Sequence, residues 1–588
     1  MTGKSVVGFD FGTTNSLVSV VRDDRVHDLL EDDGLPVPSV VKYEGLRKVV
    51  GKAAKDALDA SGLGVHGSFV KSPKTYLGDE TITVDGIELS PVDITFDVID
   101  HVRQRALLSR RNSGLLADIT AAVATIPIDM NGLRRRALRE AYARAGISVV
   151  QFVHEPFAAL YGHFRPRIGT DFVQRFDRKN ILVVDWGGGT LDLTLCRMEA
   201  GRVVQLQNVG TGQLGGDVFD DALRNWVLTH GTDGTVDIST DQRRQLRHKC
   251  EELKIRLSEE DSGTLYIRNF YPETGAALSK EMTREELENI AKPLVDRAID
   301  HVVALLDAAH VSDSQVALCL VTGGMSRMPA IAARLREFFG PHRVEISQNS
   351  ATLVAQGAAW IAYDQQQLEL AKDIEVRLAR GSYQQILRAG TRVPVEGEEL
   401  ARDVVELYCA DPRDGHAKFQ FCTPTRPGSH VQRSDPRDDI DSFSLDVDRG
   451  ARPLIERLQL FTTLDPDGIV EVSAISDLLK YRETKTLHDL QFGFSLGSAA
   501  TAANRTEEPD PPPAESQPEP GSLIVRSNLA DKRDDSYVPG ELLYTYKPTY
   551  FSRALYPPQI QDDERLYYQP CAICGKRSND PGCRCGSR

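Results

Sequence analysis

The sequence predicts an α/β fold of two similar lobes, which an all-β sandwich follows. Strand and helix patterns alternate up to about residue 365 of the 588-residue chain, which is typical of layered α/β proteins. Two glycine- and threonine-rich turns, at residues 10–16 and 185–192, each follow a β-branched strand pattern and precede another. A strand, a turn and a helix also occur twice, at residues 120–145 and 315–339. This repetition indicates an internal duplication with a cleft between the lobes.

The two turns have the composition of phosphate-binding loops. Glycine lets the backbone approach a phosphate closely, and consecutive N–H groups in a turn form an anion-binding nest. One such turn alone is most simply a hairpin turn, but two facing turns would hold the β- and γ-phosphates of a nucleotide. An aspartate at each strand end supplies a hard oxygen for hydrated Mg²⁺. The residues are Asp10, Gly12, Thr13, Thr14 and Asn15 in the first turn, and Asp185, Gly187, Gly188, Gly189, Thr190 and Asp192 in the second.

Further segments follow these turns in a characteristic order. They are residues 155–162, 214–220, 322–329 and 349–359. Together with the turns they make residues 5 to about 365 resemble the ATPase domain of the Hsp70 chaperones, one branch of the actin, hexokinase and Hsp70 superfold. Residues 373 to about 497 resemble the substrate-binding β-sandwich of that family more weakly. The resemblance implies binding of ATP and ADP with Mg²⁺.

The resemblance also implies a role for each part of the phosphate site. The first turn would cradle the β-phosphate, and the second turn would face the γ-phosphate. Asp10 and Asp185 would bind Mg²⁺ through water molecules. Asp192 would complete the acidic cluster and a K⁺ site.

A lysine and a glutamate are the predicted catalytic side chains besides the second turn. The family uses a lysine in a Lys-x-x-aliphatic-Gly segment to stabilise the transferred phosphoryl group, and Lys74 has this spacing, whereas the alternative Lys71 fits less well. Glu155 matches a carboxylate beside the metal-bound waters, although a glutamate at a helix start also has a purely electrostatic explanation. The predicted catalytic residues are Lys74, Glu155, Asp185, Thr190 and Asp192.

The adenosine end of the site is predicted from three segments. Residues 251–258 resemble the family helix that contacts the nucleoside, but an amphipathic helix with i,i+3 charge pairs would look the same. Ile255 stands where some members have arginine, Met325 replaces a usual serine, and Ala351 stands where aspartate is common. The predicted adenosine contacts are Glu251, Lys254, Ser258, Gly323, Gly324 and Arg327, and Gly215 and Gly216 in the glycine turn at residues 214–220 are further predicted cofactor-binding residues.

Composition and charge exclude some classes of partner. A net charge of −15 argues against a large nucleic-acid-binding surface. No apolar run approaches the ~20 residues that span a bilayer, and no signal peptide is evident, so we expect a cytoplasmic protein without a membrane partner. Five cysteines among apolar neighbours are expected to be buried, reduced thiols: Cys196, Cys250, Cys319, Cys409 and Cys422.

The pattern changes along the second half of the chain. Short alternating segments with turn residues begin near residue 380, and six prolines then interrupt all periodicity within residues 501–521. Each interior proline costs about 3 kcal/mol in a helix, so the helical lid of the family is predicted to be missing. The predicted segments are an ATPase domain at 1–367, a polar interdomain linker at 368–378, a substrate-binding-like β-sandwich at 379–498, a disordered proline-rich linker at 499–522 and a tail at 523–588.

The tail carries a second candidate metal site. Its four clustered cysteines are Cys571, Cys574, Cys583 and Cys585. Their number and spacing suit a tetrahedral Zn²⁺ site, and the alternative is a tail with reduced thiols.

The resemblance predicts an ATP-dependent chaperone that hydrolyses ATP slowly and acts in protein folding and the stress response. Its expected partners are unfolded or client proteins, a J-domain co-chaperone and a nucleotide exchange factor. The alternative is a specialised ATPase switch that acts on one dedicated partner protein. A sugar kinase of the same superfold is disfavoured, because the Glu-Pro helix start and the β-sandwich are not kinase features.

Overall fold

The computed structural model describes residues 6–496, with gaps at residues 46, 61–67, 200, 231–237, 272, 427–431 and 433. These residues form two α/β lobes and a β-sandwich. The predicted proline-rich linker, missing lid and tail cysteine site lie outside the described residues. None of the described helices combines the length and the apolar composition that crossing a bilayer requires.

The first lobe is built around one mixed sheet. Its elements are β1 (Val7–Phe11), β2 (Asn15–Arg22), β3 (Arg25–Asp28), β4 (Val37–Pro38), β5 (Val40–Glu44), β6 (Arg47–Val50), α1 (Lys52–Asp59), β7 (Phe69–Lys71), β8 (Ile82–Val84), β9 (Ile87–Leu89), α2 (Pro91–Leu108), β10 (Ala121–Ile126), α3 (Gly132–Arg144), β11 (Ser148–His154), α4 (Glu155–Phe164) and α5 (Asp171–Gln174). The main sheet has the order β11-β10-β1-β2-β3, with β4 paired to β2. β1 is antiparallel to β2 and parallel to β10. Both faces of β1 are covered, which explains its nearly continuous apolar sequence.

The second lobe repeats this plan. Its elements are β12 (Asn180–Trp186), β13 (Leu191–Glu199), β14 (Arg202–Thr211), α6 (Gly216–His230), α7 (Thr240–Glu259), β15 (Ser262–Tyr271), β16 (Ala276–Thr283), α8 (Arg284–Ala308), β17 (Val316–Thr322), α9 (Pro329–Phe339), β18 (Val344–Ile346) and α10 (Leu353–Tyr363). The order β18-β17-β12-β13-β14 matches that of the first sheet, and β12 is likewise antiparallel to β13 and parallel to β17. The predicted duplicated, two-lobed fold is therefore confirmed.

Two crossing helices join the lobes. α10 packs on β1 and β2 of the first sheet, whereas α4 packs on β12 and β13 of the second. They approach so closely that a Cβ on Gly357 would lie 1.7 Å from the carbonyl oxygen of Ala158. Glycine is therefore required at this crossing, and the two sheets are held back to back around it.

The sandwich follows the second lobe. Its elements, with one short strand at each end, are β19 (Glu369–Leu370), β20 (Ile374–Leu378), β21 (Ser382–Leu387), β22 (Ala401–Tyr408), β23 (His416–Pro424), β24 (Arg437–Asp446), β25 (Arg457–Leu464), β26 (Val470–Ser476), β27 (Arg482–Leu487) and β28 (Phe492–Ser495). The two sheets have the orders β21-β20-β23-β24 and β22-β25-β26-β27. Burial alternates along β25, where Leu458 and Leu460 face the core and Gln459 does not. This period of two confirms the predicted all-β region.

The segment predicted to be a polar linker, residues 368–378, is ordered and mostly buried. β19 pairs with β28, β28 pairs with β14, and the sheet of the second lobe thus has seven strands. β20 already belongs to the sandwich. The low apolar content of the segment suggested weak docking, but its apolar residues alternate, so that Leu368 and Leu370 both face the core.

The five cysteines predicted to be buried thiols are buried and form no disulfide in the part of the chain that the structure covers. Burial raises the pKa of Cys409 and of Cys422 to about 12, which keeps these thiols protonated at neutral pH. They act as small apolar residues in the core.

Candidate functional site: a cleft between two glycine turns

A cleft between the two lobes contains a cavity of about 560 Å³. Its walls come from both glycine turns, from α7 and from the turn after β17. Most of the predicted site residues line it: Asp10, Gly12, Thr13, Thr14, Asn15, Glu155, Asp185, Gly187, Gly188, Thr190, Gly216, Glu251, Lys254, Ser258, Gly323, Gly324 and Arg327. Four predicted residues lie behind this lining: Lys74, Gly189, Asp192 and Gly215.

The first turn connects β1 to β2 and is held from behind by Ser39. Ser39 Oγ donates to the carbonyl oxygen of Gly12 over 2.8 Å, and Ser39 N donates to that of Thr14 over 2.8 Å. A Cβ at position 12 would lie 2.2 Å from the carbonyl oxygen of Asn15, so only glycine fits there. The sequence analysis missed Ser39, which follows Pro38 and has no motif of its own.

The second turn connects β12 to β13 and rests on the start of α6. Gly187 N donates to Thr190 O over 2.9 Å, which closes the turn. Gly216 N and Asp217 N donate to the carbonyl oxygens of Gly187 and Gly188 over 3.1 and 2.8 Å. The N-terminal N–H groups of α6 therefore hold the turn, and a phosphate at the turn also lies near the positive end of that helix.

The two turns touch across the cleft. A Cβ on Gly188 would lie 2.2 Å from Thr14 Oγ1, and one on Gly189 would lie 2.6 Å from the methyl group of Thr13. Gly215 supports the second turn, since a Cβ there would lie 2.3 Å from the carbonyl carbon of Gly189. The absence of side chains at these positions lets both backbones approach the same small volume.

Four carboxylates converge below the turns. Asp185 and Asp192 are buried, Asp10 is half-buried, and the side chain of Glu155 is 14 % exposed. Burial raises the pKa of all three aspartates, and the charge of Glu155 raises each pKa further. Thr125 Oγ1 donates to Asp10 Oδ1 over 2.7 Å. Like charges in so small a volume repel one another, and either bound protons or nearby cations relieve that repulsion.

Asp192 tests whether a metal ion fits this cluster. Ile128 N donates to its Oδ1 over 2.9 Å, whereas its buried Oδ2 accepts no hydrogen bond from any described residue. Asp192 lies opposite Asp185 in the β12–β13 pairing. An orphaned carboxylate oxygen beside other carboxylates is the hard-oxygen environment that Mg²⁺ prefers. These residues fit a hydrated Mg²⁺, with Asp10 and Asp185 nearest to the cavity.

Lys74 lies at this cluster and Lys71 does not. Lys74 is 2 % exposed and stands in a 3₁₀ turn at Pro73–Tyr76, which follows the left-handed Ser72. Its ammonium donates to Glu155 Oε1 over 2.5 Å. Lys71 instead donates to Glu251 Oε2 over 2.6 Å at the other end of the cleft. The two lysines therefore lie at different ends of the cleft, and only Lys74, which the sequence spacing favours, contacts the carboxylate cluster.

The adenosine end is formed largely by α7. Lys254 donates to Gly216 O over 3.0 Å and forms an ion pair with Asp220 Oδ1 at 2.8 Å. Ser258 Oγ donates to the carbonyl oxygen of Lys254 one turn earlier over 3.0 Å. Ile255 is 54 % exposed and lines the cavity, where its aliphatic face is free to pack against a base.

Asp220 is a site residue that the sequence analysis passed over. It is buried in the first half of α6, where an acidic residue usually needs no explanation beyond the helix dipole. Burial raises its pKa to about 6, although Lys254 opposes this. The sequence signal for Asp220 was its spacing of four residues from Gly216, because residues four apart lie on the same face of a helix and Gly216 belongs to the glycine turn.

Comparison with known proteins agrees with this geometry. The family described as "Hsp70 protein" matches residues 6–61 and 68–375, which is more than half of the chain. The chain belongs to the Hsp70 family. The matched region includes both glycine turns, the carboxylate cluster and α7.

Individual relatives are distant. The chain is 28 % identical over 531 residues to a "Heat shock cognate HSP70 protein" of Trypanosoma brucei brucei, covering 83 % of this chain and 75 % of that protein. It is 29 % identical over 367 residues to a "Chaperone protein DnaK" of Ureaplasma urealyticum, covering 61 % and 58 %. A Thermotoga petrophila "Chaperone protein DnaK" is 28 % identical over 497 residues, covering 80 % and 78 %. The chain therefore spans between about half and three quarters of these relatives.

Proposed function

We propose that this Hsp70-family protein is a chaperone-type ATPase that binds ATP and ADP with Mg²⁺ in the cleft and hydrolyses ATP slowly. The observation that carries the proposal is the meeting of two glycine turns over a group of four carboxylates and one buried lysine. Phosphoryl transfer depends mainly on positioning and charge stabilisation, and this arrangement supplies both.

Each part of the cleft has a proposed task. The backbone N–H groups of residues 12–15 bind the β-phosphate, and the turn at residues 187–190 faces the γ-phosphate. Bound Mg²⁺ supplies positive charge to the phosphate oxygens, and Asp10 and Asp185 hold its water shell. Ile255 and the turn at Gly323 and Gly324 contact the nucleoside.

Lys74 and Glu155 act on the attacking water and the transferred group. The Lys74 ammonium is buried, so its charge is weakly screened and stabilises negative charge that builds on the phosphoryl oxygens. Glu155 holds this ammonium in place and orients water through its carboxylate. The proposed K⁺ near Asp192 would offset part of the negative charge of the same carboxylates.

The test is a pair of lysine variants. In Lys74→Ala, single-turnover ATP hydrolysis should fall at least ~100-fold, which is about 2.7 kcal/mol of transition-state stabilisation, while the Kd for ATP changes only a few-fold. Lys71→Ala removes a cleft lysine of the same type that pairs with Glu251 instead. It should leave the single-turnover rate within about three-fold of wild type. Equal losses in both variants would contradict the assignment.

The proposed substrate of the protein is an extended segment of an unfolded client protein. The sandwich binds this segment, and the bound nucleotide controls its affinity. A J-domain co-chaperone and a nucleotide exchange factor are the proposed helpers, and the cytoplasm is the proposed location. The names of the relatives, which are chaperones, support this proposal.

A dedicated ATPase switch is the second candidate, and one observation favours it. β28 joins the sandwich to β14 by main-chain pairing, so free opening of the sandwich requires breaking a sheet. Titration of the full chain with a fluorescent unfolded peptide, with and without ATP, separates the two functions. A chaperone binds the peptide and changes its affinity with ATP, whereas a dedicated switch binds no general peptide in either state.

A further inference from the structure

A group of three possible metal ligands lies at the mouth of the nucleotide cleft, away from the phosphate site. Asp59 is the last residue of α1 in the first lobe, and it faces α7 of the second lobe. His248 Nε2 lies 2.7 Å from Asp59 Oδ1 and 3.2 Å from Glu252 Oε1. All three ligand atoms lie within 4.8 Å of one another. The group therefore bridges the two lobes.

His248 is unusual because it is buried without being hydrogen-bonded. The residue is 4 % exposed, and neither ring nitrogen makes a hydrogen bond of acceptable geometry within the described part of the chain. Asp59 Oδ1 is likewise buried and without a hydrogen bond from a described residue, despite its short distance to the ring. An unpaired buried polar group costs about 1–3 kcal/mol. The ring nitrogens and carboxylate oxygens thus lie at ion-pair distance, but their angles do not suit hydrogen bonds, and this arrangement is compatible with ligands around a common centre.

The donor set suits a transition metal. One imidazole nitrogen and two carboxylate oxygens form a three-ligand zinc site that leaves a position for water. His248 and Glu252 are one turn apart, which places them on one face of α7. Ligands bound to Zn²⁺ at 2.0–2.1 Å are about 3.3 Å apart, so the separation of His248 Nε2 and Asp59 Oδ1, now 2.7 Å, has to widen by about 0.6 Å to admit the ion.

The groups around His248 favour a proton on its ring, and this proton competes with a metal ion. Lys249 Nζ donates to both carboxylate oxygens of Glu252 over 2.9 Å. Glu251 Oε2 lies 3.7 Å from His248 Nδ1 and is held by Lys71. Burial lowers the pKa of His248, but the carboxylates of Glu251 and Glu252 outweigh it and raise the pKa to about 9. A metal ion thus has to displace a proton from this ring.

We propose that Asp59, His248 and Glu252 bind a divalent transition-metal ion that ties the two lobes together across the mouth of the cleft. The ion closes the route by which the nucleoside end of a ligand leaves. Its effect on nucleotide release rests on the proposed ATPase function, whereas metal binding itself does not.

Zinc titration of the full chain tests this site. The background carries serine at the four tail cysteines, Cys571, Cys574, Cys583 and Cys585, so that the predicted tail site does not contribute. After treatment with a chelator, calorimetric titration with ZnCl₂ should give about one equivalent per chain. His248→Gln and Asp59→Asn should each weaken binding at least ten-fold, because each removes one of three ligands.

Two controls keep the test decisive. His416→Gln removes another histidine that pairs with an aspartate, at 2.9 Å to Asp446 in the sandwich, and should bind zinc like the background. Circular dichroism confirms folding of each variant, and Asp59→Asn lies outside α7, so it reports on the site even if His248→Gln unfolds. Visible absorption of bound Co²⁺ provides an independent signal.

Three results would overturn the proposal. If the background protein does not bind zinc, the group is only an ion pair between protonated His248 and the neighbouring carboxylates. Unchanged binding in His248→Gln places the ion elsewhere, and unchanged binding in Asp59→Asn removes the link between lobes. In the supporting case, Zn²⁺ also slows the release of a fluorescent ADP analogue at least three-fold in the background and not in Asp59→Asn. Zinc binding without slower release would contradict closure of the nucleoside end by the ion, whereas failure of the ADP analogue to bind at all would count against the proposed ATPase function instead.

Discussion

The two main sheets of the ATPase region share five strands in the same order but differ at one edge. Among the described strands, the first sheet ends at β3, which has four residues and the sequence Arg-Val-His-Asp. A short strand with charged residues is a poor template for further pairing. The second sheet ends its shared part at β14, which has ten residues, and continues through β28 and β19. The length and the charge of the edge strand thus explain why the sheet of the second lobe, and not that of the first, pairs with β28 and β19.

The extended edge leads directly to the catalytic side of the cleft. Phe494 of β28 packs against Phe157 and Tyr161, with ring centroids 4.3 and 4.8 Å apart. Both partners lie on α4, which begins at Glu155. Phe492 packs against His154, the residue before Glu155, at 5.7 Å. One helix, α4, therefore connects the carboxylate cluster to β28 by direct contacts.

A second contact fixes the sandwich to the first lobe. Arg135 is 1 % exposed and donates to Met130 O over 2.8 Å and to Asp467 O over 3.0 Å. Arg139 Nε donates to Asp467 Oδ1 over 2.6 Å. Since the Asp467 turn belongs to the sandwich, both lobes hold it, the first by charge-assisted hydrogen bonds and the second by strand pairing.

The largest expected effect comes from removing an aromatic anchor of the extended edge. Phe494→Ala should destabilise the docked arrangement by about 3–5 kcal/mol, because a fully buried phenylalanine leaves a cavity. Calorimetry should then show the sandwich and the ATPase region unfolding in two separate transitions. Ser495→Ala, at an exposed position of the same strand, is the control and should unfold like wild type. A single unchanged transition in Phe494→Ala would show that β28 does not hold the sandwich.

A matched pair of glycine variants compares the two turns directly. Gly12 and Gly187 occupy equivalent positions, but a Cβ would meet a backbone oxygen at 2.2 Å in the first turn and at 3.5 Å in the second. Gly12→Ala should therefore cost about 1–3 kcal/mol of unfolding free energy, and Gly187→Ala less than about 0.5 kcal/mol. Urea unfolding of the nucleotide-free protein measures both values. Similar costs in the two variants would mean that the turns are structurally equivalent.

A buried lysine in the connection to the sandwich gives a pH-dependent effect. Burial lowers the pKa of Lys372 to about 8, Asp438 opposes this at 3.9 Å, and the ammonium has no hydrogen bond within the described residues. The unfolded chain binds this proton more tightly, so the folded state is penalised below pH 8, and the penalty disappears between pH 8 and 10.5. Lys372→Met should raise the unfolding free energy by about 1–2 kcal/mol at pH 7 and by much less at pH 10.

The pH comparison itself is the check on this prediction. Urea midpoints of wild type and variant at pH 7 and pH 10 give the two differences. An advantage of the methionine variant that is the same at both pH values would mean that packing, and not the buried charge, is responsible.

The smallest effect is expected for an ion pair on the outer face of the same edge. Arg202 NH2 lies 2.7 Å from Glu369 Oε2, but their side chains are 49 % and 26 % exposed. Such pairs contribute about 0–1 kcal/mol, so Arg202→Gln should shift the docking transition by less than that. A loss of stability as large as that of Phe494→Ala would show that surface charge, and not strand pairing and aromatic packing, holds the sandwich in place.

Local sequence was sufficient for the duplicated lobes and for most of the cleft. A strand, a glycine turn and a returning strand leave a pattern within about ten residues, because the alternation of side chains and the need for glycine are local properties. Residues 10–16 and 185–192 were recognised in this way, whereas Glu155 at the start of α4 was predicted from the resemblance to the family. The register of Lys74 with its following Leu77 and Gly78 also distinguished it from Lys71.

The remaining features depend on partners that are far apart along the chain. β28 pairs with residues 202–204, Lys254 with Asp220, and His248 with Asp59. No local periodicity records which distant strand edge or helix face a segment will meet, since that choice is made by the packing of whole layers. The segment at 368–378 shows this best, because its composition is that of a polar linker. Its alternating apolar residues become buried only because β28 provides a strand edge with which β19 pairs.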